Sequence, residues 1–270
     1  MPKIWTGSEF KMPERLYRYR PLAGEKDWDY LEQILLNSTM YGAPPGILQK
    51  MDPEDCRVAV NTLCTLDEFK RSSYGQEVTQ QHSDWSESES DSYLRQYHKN
   101  LMKPDFNLDV VNALQGSADQ YGVICFSTDG DIPTQWRSYA SEGRGVCLEL
   151  DPLKDVDFFR KVKPVNYVDV LEPANVFTDT TEVQVRKRLY TKLDKYESED
   201  EFRALFERGA GQQIPFRPEA LVEVKPGLAM NEVDRRRLKV ILRRRMGGAL
   251  ARSLCTEHKS RGIISSVDKG

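Results

Sequence analysis

The sequence predicts a mixed α+β fold in one domain spanning residues 1–270, and three observations predict it. Short runs rich in β-branched, aromatic and other apolar residues recur and stop at Gly, Pro or Ser: LYRYRP at 16–21, YGVICFS at 121–127, GVCLEL at 145–150 and LVEV at 221–224. Between them lie stretches with helical spacing, among them Trp28 to Leu36, Ile132 to Ala140 and the segment after Asn231. Finally, 270 residues with 39% hydrophobic and 30% charged content suffice for a sizeable buried core, and neither an internal repeat nor a linker divides them.

Leu16 to Arg20 alternates before Pro21, which puts Leu16, Arg18 and Arg20 on one face and Tyr17 and Tyr19 on the other. Asn37 to Pro53, with Gly42-Ala43-Pro44-Pro45-Gly46 inside it, has loop composition. Glu54 to Arg71 carries helical spacing through Cys56, Val60, Leu63 and Phe69, with acids at its start. A polar insertion at about residues 74–92, densest in SDWSESESDS from Ser83 to Ser92, predicts a mobile surface loop. Helices are expected at Tyr93 to Lys99 and Asp109 to Gln115, and a third strand within Val162 to Val168. Arg186 to Arg208 fits helix and strand alike. Asn231 is placed to cap the basic helix after it, with Asp234 in the role of the capping-box acid.

Charge and cysteine content exclude several classes. Lys and Arg total 39 against 42 Asp and Glu, a net −3, so no global field draws the chain to nucleic acid or an anionic membrane. No run approaches the roughly 18 apolar residues of a membrane span. Met1-Pro2-Lys3-Ile4-Trp5 lacks a signal-peptide core, so a cytoplasmic location is expected. Cys56, Cys64, Cys125, Cys147 and Cys255 form no C-x-x-C pair, and only His82, His98 and His258 could join them. Neither disulfides nor a metal site is expected, and the cysteines read as small core hydrophobes.

Four constellations could carry chemistry, each with a plain structural alternative. Arg18 and Arg20 suit a guanidinium clamp for phosphate or carboxylate, or they are surface charges beside core tyrosines. Ser127 and Thr128 end an apolar strand, where they orient a ligand or bond local backbone. Trp136 and Tyr139, three apart on a helix, wall a flat ligand ring or pack in the core. Glu199 and Glu201 stand side by side if their segment is a strand, and apart on a solvated face if it is a helix. A different class of function, nucleic-acid binding, would draw on Arg235, Arg236, Lys239 and Arg243 of the basic helix.

The blocks LYRYRPL, GVICFSTD, QWRSYASEGRGVCLELD, YTKLDKYESEDEFR and FRPEALVEVKPG, in that order, resemble the bacterial family known as domain of unknown function 2971. They run from Leu16 to Val224 and beyond, most of the chain. Tyr196 and Phe202 stand where that family usually has Trp, Gly143 where a His is common, and the Gly42 to Gly46 loop replaces an Asn-Asp-Pro motif. The motif order is in turn similar to that of ADP-ribosyltransferases of the Arg-Ser-Glu type. That resemblance implies two small packed sheets around an NAD cleft, with NAD as substrate and no metal. It implies Glu201 on the ribose 2′-hydroxyl stabilising a cationic transition state, and Glu199 as base toward the nucleophile. Arg18, Arg20, Ser127, Thr128, Trp136 and Tyr139 would then hold NAD. The acceptor implied is a protein or nucleic acid. The setting implied is that of a toxin or defence effector with an inhibitor or antitoxin partner.

Overall fold

A computed structural model describes residues 11–50, 52–57, 60–101, 103, 112 and 115–245. Its strands, in chain order, are β1 (Leu16–Arg20), β2 (Thr39–Tyr41), β3 (Val60–Asn61), β4 (Gly122–Ser127), β5 (Val146–Leu150), β6 (Val162–Pro164), β7 (Asn166–Val168), β8 (Ala174–Asn175), β9 (Thr191–Leu193), β10 (Glu201–Phe206), β11 (Gln213–Pro215) and β12 (Leu221–Pro226). A six-stranded sheet has the order β12-β5-β1-β4-β10-β6, and three two-stranded pairings accompany it. The mixed α+β class is therefore correct at the level of architecture. No described helix is long and apolar enough to cross a membrane.

The chain forms two compact units interleaved in sequence. Of the described residues, the β1 unit comprises those in Met12–Met40, Phe126–Phe159 and 215–245, and the β10 unit comprises Lys11 and those in Tyr41–Cys125 and Arg160–Ile214. In the β1 unit, β5 is the spine. It pairs antiparallel with β1 from Leu16↔Leu150 to Arg20↔Val146, and with β12 from Leu221↔Leu150 to Pro226↔Val146, across a bulge between Leu221 and Glu223. The helix Glu25–Asn37 buries Trp28, Leu31, Ile34 and Leu35, one apolar stripe at helical spacing. The helix Glu232–Arg245 packs on it through Leu238, Ile241 and Leu242. Asn231 caps that helix as expected, its Oδ1 accepting the Asp234 N–H at 2.8 Å while its amide donates to the Asp234 carboxylate at 2.7 Å.

In the β10 unit, β10 pairs antiparallel with β6, from Phe202↔Pro164 to Ala204↔Val162. β3 pairs parallel with β8, and β7 with β9. Helices Leu66–Arg71, Ser73–Gln81 and Glu87–Leu101 enclose Phe69, which is fully buried between Tyr97, stacked at 6.0 Å, and Phe177, edge-on at 5.4 Å.

Three expectations are corrected here. Glu54 to Arg71 is not one helix: Val60–Asn61 is strand, and helix begins at Leu66, where Thr65 and Glu68 form a capping box. Tertiary pairing with Ala174–Asn175 overrides the local spacing. Most of the polar insertion is helical, in Ser73–Gln81 and Glu87–Leu101, with Ser72 just before it and Ser86 within it as helix caps. Ser72 Oγ accepts the Gly75 N–H, and Ser86 exchanges hydrogen bonds with Glu89. Trp85 anchors the turn between the helices, stacked on His82 at 3.9 Å and edge-on to Tyr93 at 5.1 Å. Asn37 to Pro53 holds β2 and a helical turn, Pro45–Leu48. Most of the helix expected at Asp109 to Gln115 lies outside the described residues.

Gly122 opens β4 against the backbone of Gly209, and a Cβ there would overlap the Gly209 carbonyl. Gly122→Ala should therefore cost about 1–3 kcal/mol of stability, read by chemical denaturation. An unchanged midpoint would show that the two backbones are not held in contact.

Candidate functional site

In the β1 unit, β4 ends at Ser127 and the chain turns through Asp129 and Asp131. The Asp129 N–H donates to Ser127 Oγ at 3.4 Å, and the Asp131 N–H to Asp129 Oδ1 at 2.9 Å. Tyr19 fixes the next element: its hydroxyl donates to the Asp129 carbonyl at 2.9 Å and accepts the Ile132 N–H at 3.1 Å. The helix Pro133–Tyr139 starts there, with proline where the missing N–H does no harm. Its Trp136 donates the indole N–H to the Gly130 carbonyl at 3.1 Å and meets the Tyr19 ring edge-on at 5.3 Å. Burial, then Cys147 nearby, push the Tyr19 phenol well above its ordinary range, so the hydroxyl stays a donor.

After this helix the chain doubles back through three consecutive left-handed residues, Ser141, Glu142 and Gly143, with φ of 50°, 55° and 80°. Only the last is glycine, so the conformation is costly and has to be held. The Gly143 N–H donates to the Trp136 carbonyl at 3.0 Å, and the Ala229 N–H donates to the Gly143 carbonyl at 3.0 Å. The Gly227 N–H donates to the Gly145 carbonyl at 2.8 Å. The helix, this turn and the chain from the end of β12 line a cavity of about 580 Å³ that is open to solvent. Pro133, Trp136, Pro226 and Leu228 give it apolar walls, Asp131, Arg137 and Glu142 bring charge, and Gly143 backbone completes it. That volume suits a small organic ligand.

Of the residues expected to bind a ligand, Trp136 lines this cavity. Tyr139 packs against the core group of Tyr19, Ala140 and Cys147. Arg18 and Arg20 are half-buried on β1, their guanidinium groups over the rings of Phe126 and Tyr30 at 5.9 and 5.7 Å. Burial lowers the Arg20 pKa, opposed by Asp27 and Tyr30. Ser127 is 2% exposed and serves the local backbone, with Thr128 half-buried beside it. Asp131, Arg137, Glu142, Pro226 and Leu228 were not singled out from sequence, although Arg137, Glu142 and Pro226 fall in the blocks QWRSYASEGRG and VEVKPG, and Gly143 was noted there for standing where a His is common.

Glu199 and Glu201 belong to the β10 unit, and they do not share a strand. Glu199 closes a 3-10 turn, Asp194–Glu199, Asp200 is left-handed at φ 43°, and β10 begins at Glu201. The two carboxylates meet nonetheless, because both hold Lys192 of β9, at 2.7 and 3.4 Å. Glu201 also receives Arg203, Nε to Oε1 at 2.7 Å and Nη2 to Oε2 at 3.0 Å. Arg203 is fully buried, and its remaining donors reach Asp55 at 2.8 Å, the Leu189 carbonyl at 3.0 Å and Cys56 Sγ at 3.1 Å. The Glu201 N–H donates to the Tyr167 hydroxyl at 2.8 Å. Burial alone would raise the Glu201 pKa, but Arg203 and Lys192 override it and hold the carboxyl at about 2. In this geometry both Glu201 oxygens are engaged and its charge is balanced inside the unit.

On the basic helix, most cations are engaged within the β1 unit. Arg237 grips Glu25 with two bonds of 2.8 Å and lies over Trp28 at 4.6 Å. Arg244 pairs with Glu32 at 3.6 Å and Arg236 with Glu232 at 3.2 Å. Arg245 donates to the Leu35 and Pro218 carbonyls, and Arg235 to that of Gly227. Lys239 and Arg243 are exposed. Two of its arginines, Arg237 and Arg244, thus pair with carboxylates of the acidic helix Glu25–Asn37.

Among the described residues no group of three or more His, Cys, Asp or Glu side chains is arranged to hold a metal ion. No protein-family model, curated protein or solved structure matches the chain.

Two outcomes follow from the Arg203 group. Arg203→Met should cost about 3–5 kcal/mol by chemical denaturation, because it removes the cation that Asp55 and Glu201 share and leaves Glu201 with Lys192 alone. Glu201 ionises more readily in the folded chain than its ordinary value of 4.5 allows. Its contribution to stability is therefore full above pH 4.5 and is lost as pH falls toward about 2. Glu201→Gln should lower the unfolding midpoint at neutral pH and flatten that acid limb. A variant as stable as wild type, with the same acid limb, would refute the bracing role.

Proposed function

We propose that this chain binds a ligand of the nicotinamide-nucleotide class, with its flat ring against Trp136, and that NAD is its substrate for ADP-ribosyl transfer or hydrolysis. The observation that carries the binding half is the cavity of about 580 Å³, with an aromatic wall, two prolines and a few charged groups. The reaction half draws support from the order of sequence motifs, which is similar to that of ADP-ribosyltransferases of the Arg-Ser-Glu type. It is the more demanding half. A transferase cycle has to release Glu201 from Arg203 and Lys192 before that carboxylate can face a ribose, and such a step costs free energy that ligand binding would have to supply. The binding half stands without it.

The test separates the two. Equilibrium dialysis against NAD should show retention by the wild type, weakened about 3- to 10-fold in Trp136→Leu through loss of ring stacking. Equal retention by both proteins would remove Trp136 from the site. Nicotinamide release on incubation with NAD reports the reaction. Release that persists in Glu201→Gln would take the chemistry away from Glu201.

A further inference from the structure

We infer that the Trp136 cavity selects planar organic cations over neutral or anionic rings of the same shape. The inference rests on the proposal that this cavity is a ligand site, and it specifies the ligand's charge. Trp136 has one hydrogen-bond donor, the indole N–H, which is already given to the Gly130 carbonyl. What the side chain has left for a ligand is π surface, whose quadrupole attracts cations. Two of the three charged side chains lining the cavity are carboxylates, Asp131 and Glu142. Glu142 sits on the left-handed turn, so backbone hydrogen bonds hold its position at the rim. Its ion pair with Arg144 is 3.8 Å long between two highly exposed side chains, which leaves the carboxylate available to a ligand. Asp131 follows the tight turn from Asp129, its N–H tied to the Asp129 carboxylate. Asp129 and Asp131 also oppose ionisation of the Tyr19 phenol, after burial and Cys147, so the negative field reaches the ring packed against Trp136. Arg137 is the opposing charge in the lining. An acidic substituent on the ligand would be its partner, and a plain cation would bind in spite of it.

Isosteric probes test this on the whole protein by titration calorimetry: nicotinamide, its N-methylpyridinium form, and nicotinate, which are neutral, cationic and anionic rings. The cation should bind at least about fivefold more tightly than nicotinamide, the scale of one cation–π contact, and nicotinate should bind most weakly. In the double variant Asp131→Asn, Glu142→Gln the ratio of cation to nicotinamide affinity should fall most of the way to one. In Arg137→Gln the advantage should widen. Equal binding of cation and nicotinamide to the wild type would overturn the charge selection and leave the ligand site standing. An advantage that survives the double variant would overturn the role of the carboxylates. Binding of no probe would overturn the ligand site, and the selection with it.

Discussion

Arg203 is the constraint around which the β10 unit is arranged. A guanidinium with no exposure carries a heavy desolvation cost, so each of its donors needs a partner in the correct direction. Those partners come from separate pieces of chain: Asp55 and Cys56 before β3, Leu189 at the end of a helix, and Glu201 two residues away on the same strand. Lys192 adds Glu199 to the group from β9. A buried charge set of this kind adds little net stability over well-packed apolar side chains, but it tolerates few alternative registers. Shifting β10 by one residue would turn Glu201 and Arg203 to the other face of the strand.

The acidic pair drew a catalytic reading through motif resemblance alone, and in the structure both carboxylates hold Lys192. Burial and a depressed carboxyl pKa are shared by active-site carboxylates and structural ones. Both oxygens of Glu201 meet cations within the unit. The Trp136 cavity is built differently. Its strained turn is secured by backbone hydrogen bonds, and charged side chains share its lining with apolar ones.

Legibility in the sequence followed how local each interaction is. The strands at 16–20, 122–127, 146–150 and 221–226 and the Asn231 cap were legible because alternation and capping act over a few residues. β3 was not, since its partner β8 lies more than a hundred residues on and nothing in its own neighbours predicts it. Serines misled at 72–92 because the same hydroxyl suits a loop or a helix cap, and only the glutamate three residues after Ser86 distinguishes them. At the acidic segment the useful signal was Glu201-Phe202-Arg203. Alternate residues of a strand share a face, and Glu201 pairs with Arg203. The Trp136 cavity was half legible: its aromatic wall stood out, but its far wall comes from Pro226 and Leu228, some ninety positions later.

The interleaving of the two units has a consequence for inheritance. The chain passes between them at Met40–Tyr41, Cys125–Phe126, Phe159–Arg160 and Ile214–Pro215. No single crossover or gene fusion can therefore transplant one unit intact, because every contiguous fragment long enough to carry it also carries part of the other. Relatives of this protein should vary by substitution and by loop insertion, and trade of either unit as a module with unrelated proteins is closed to them.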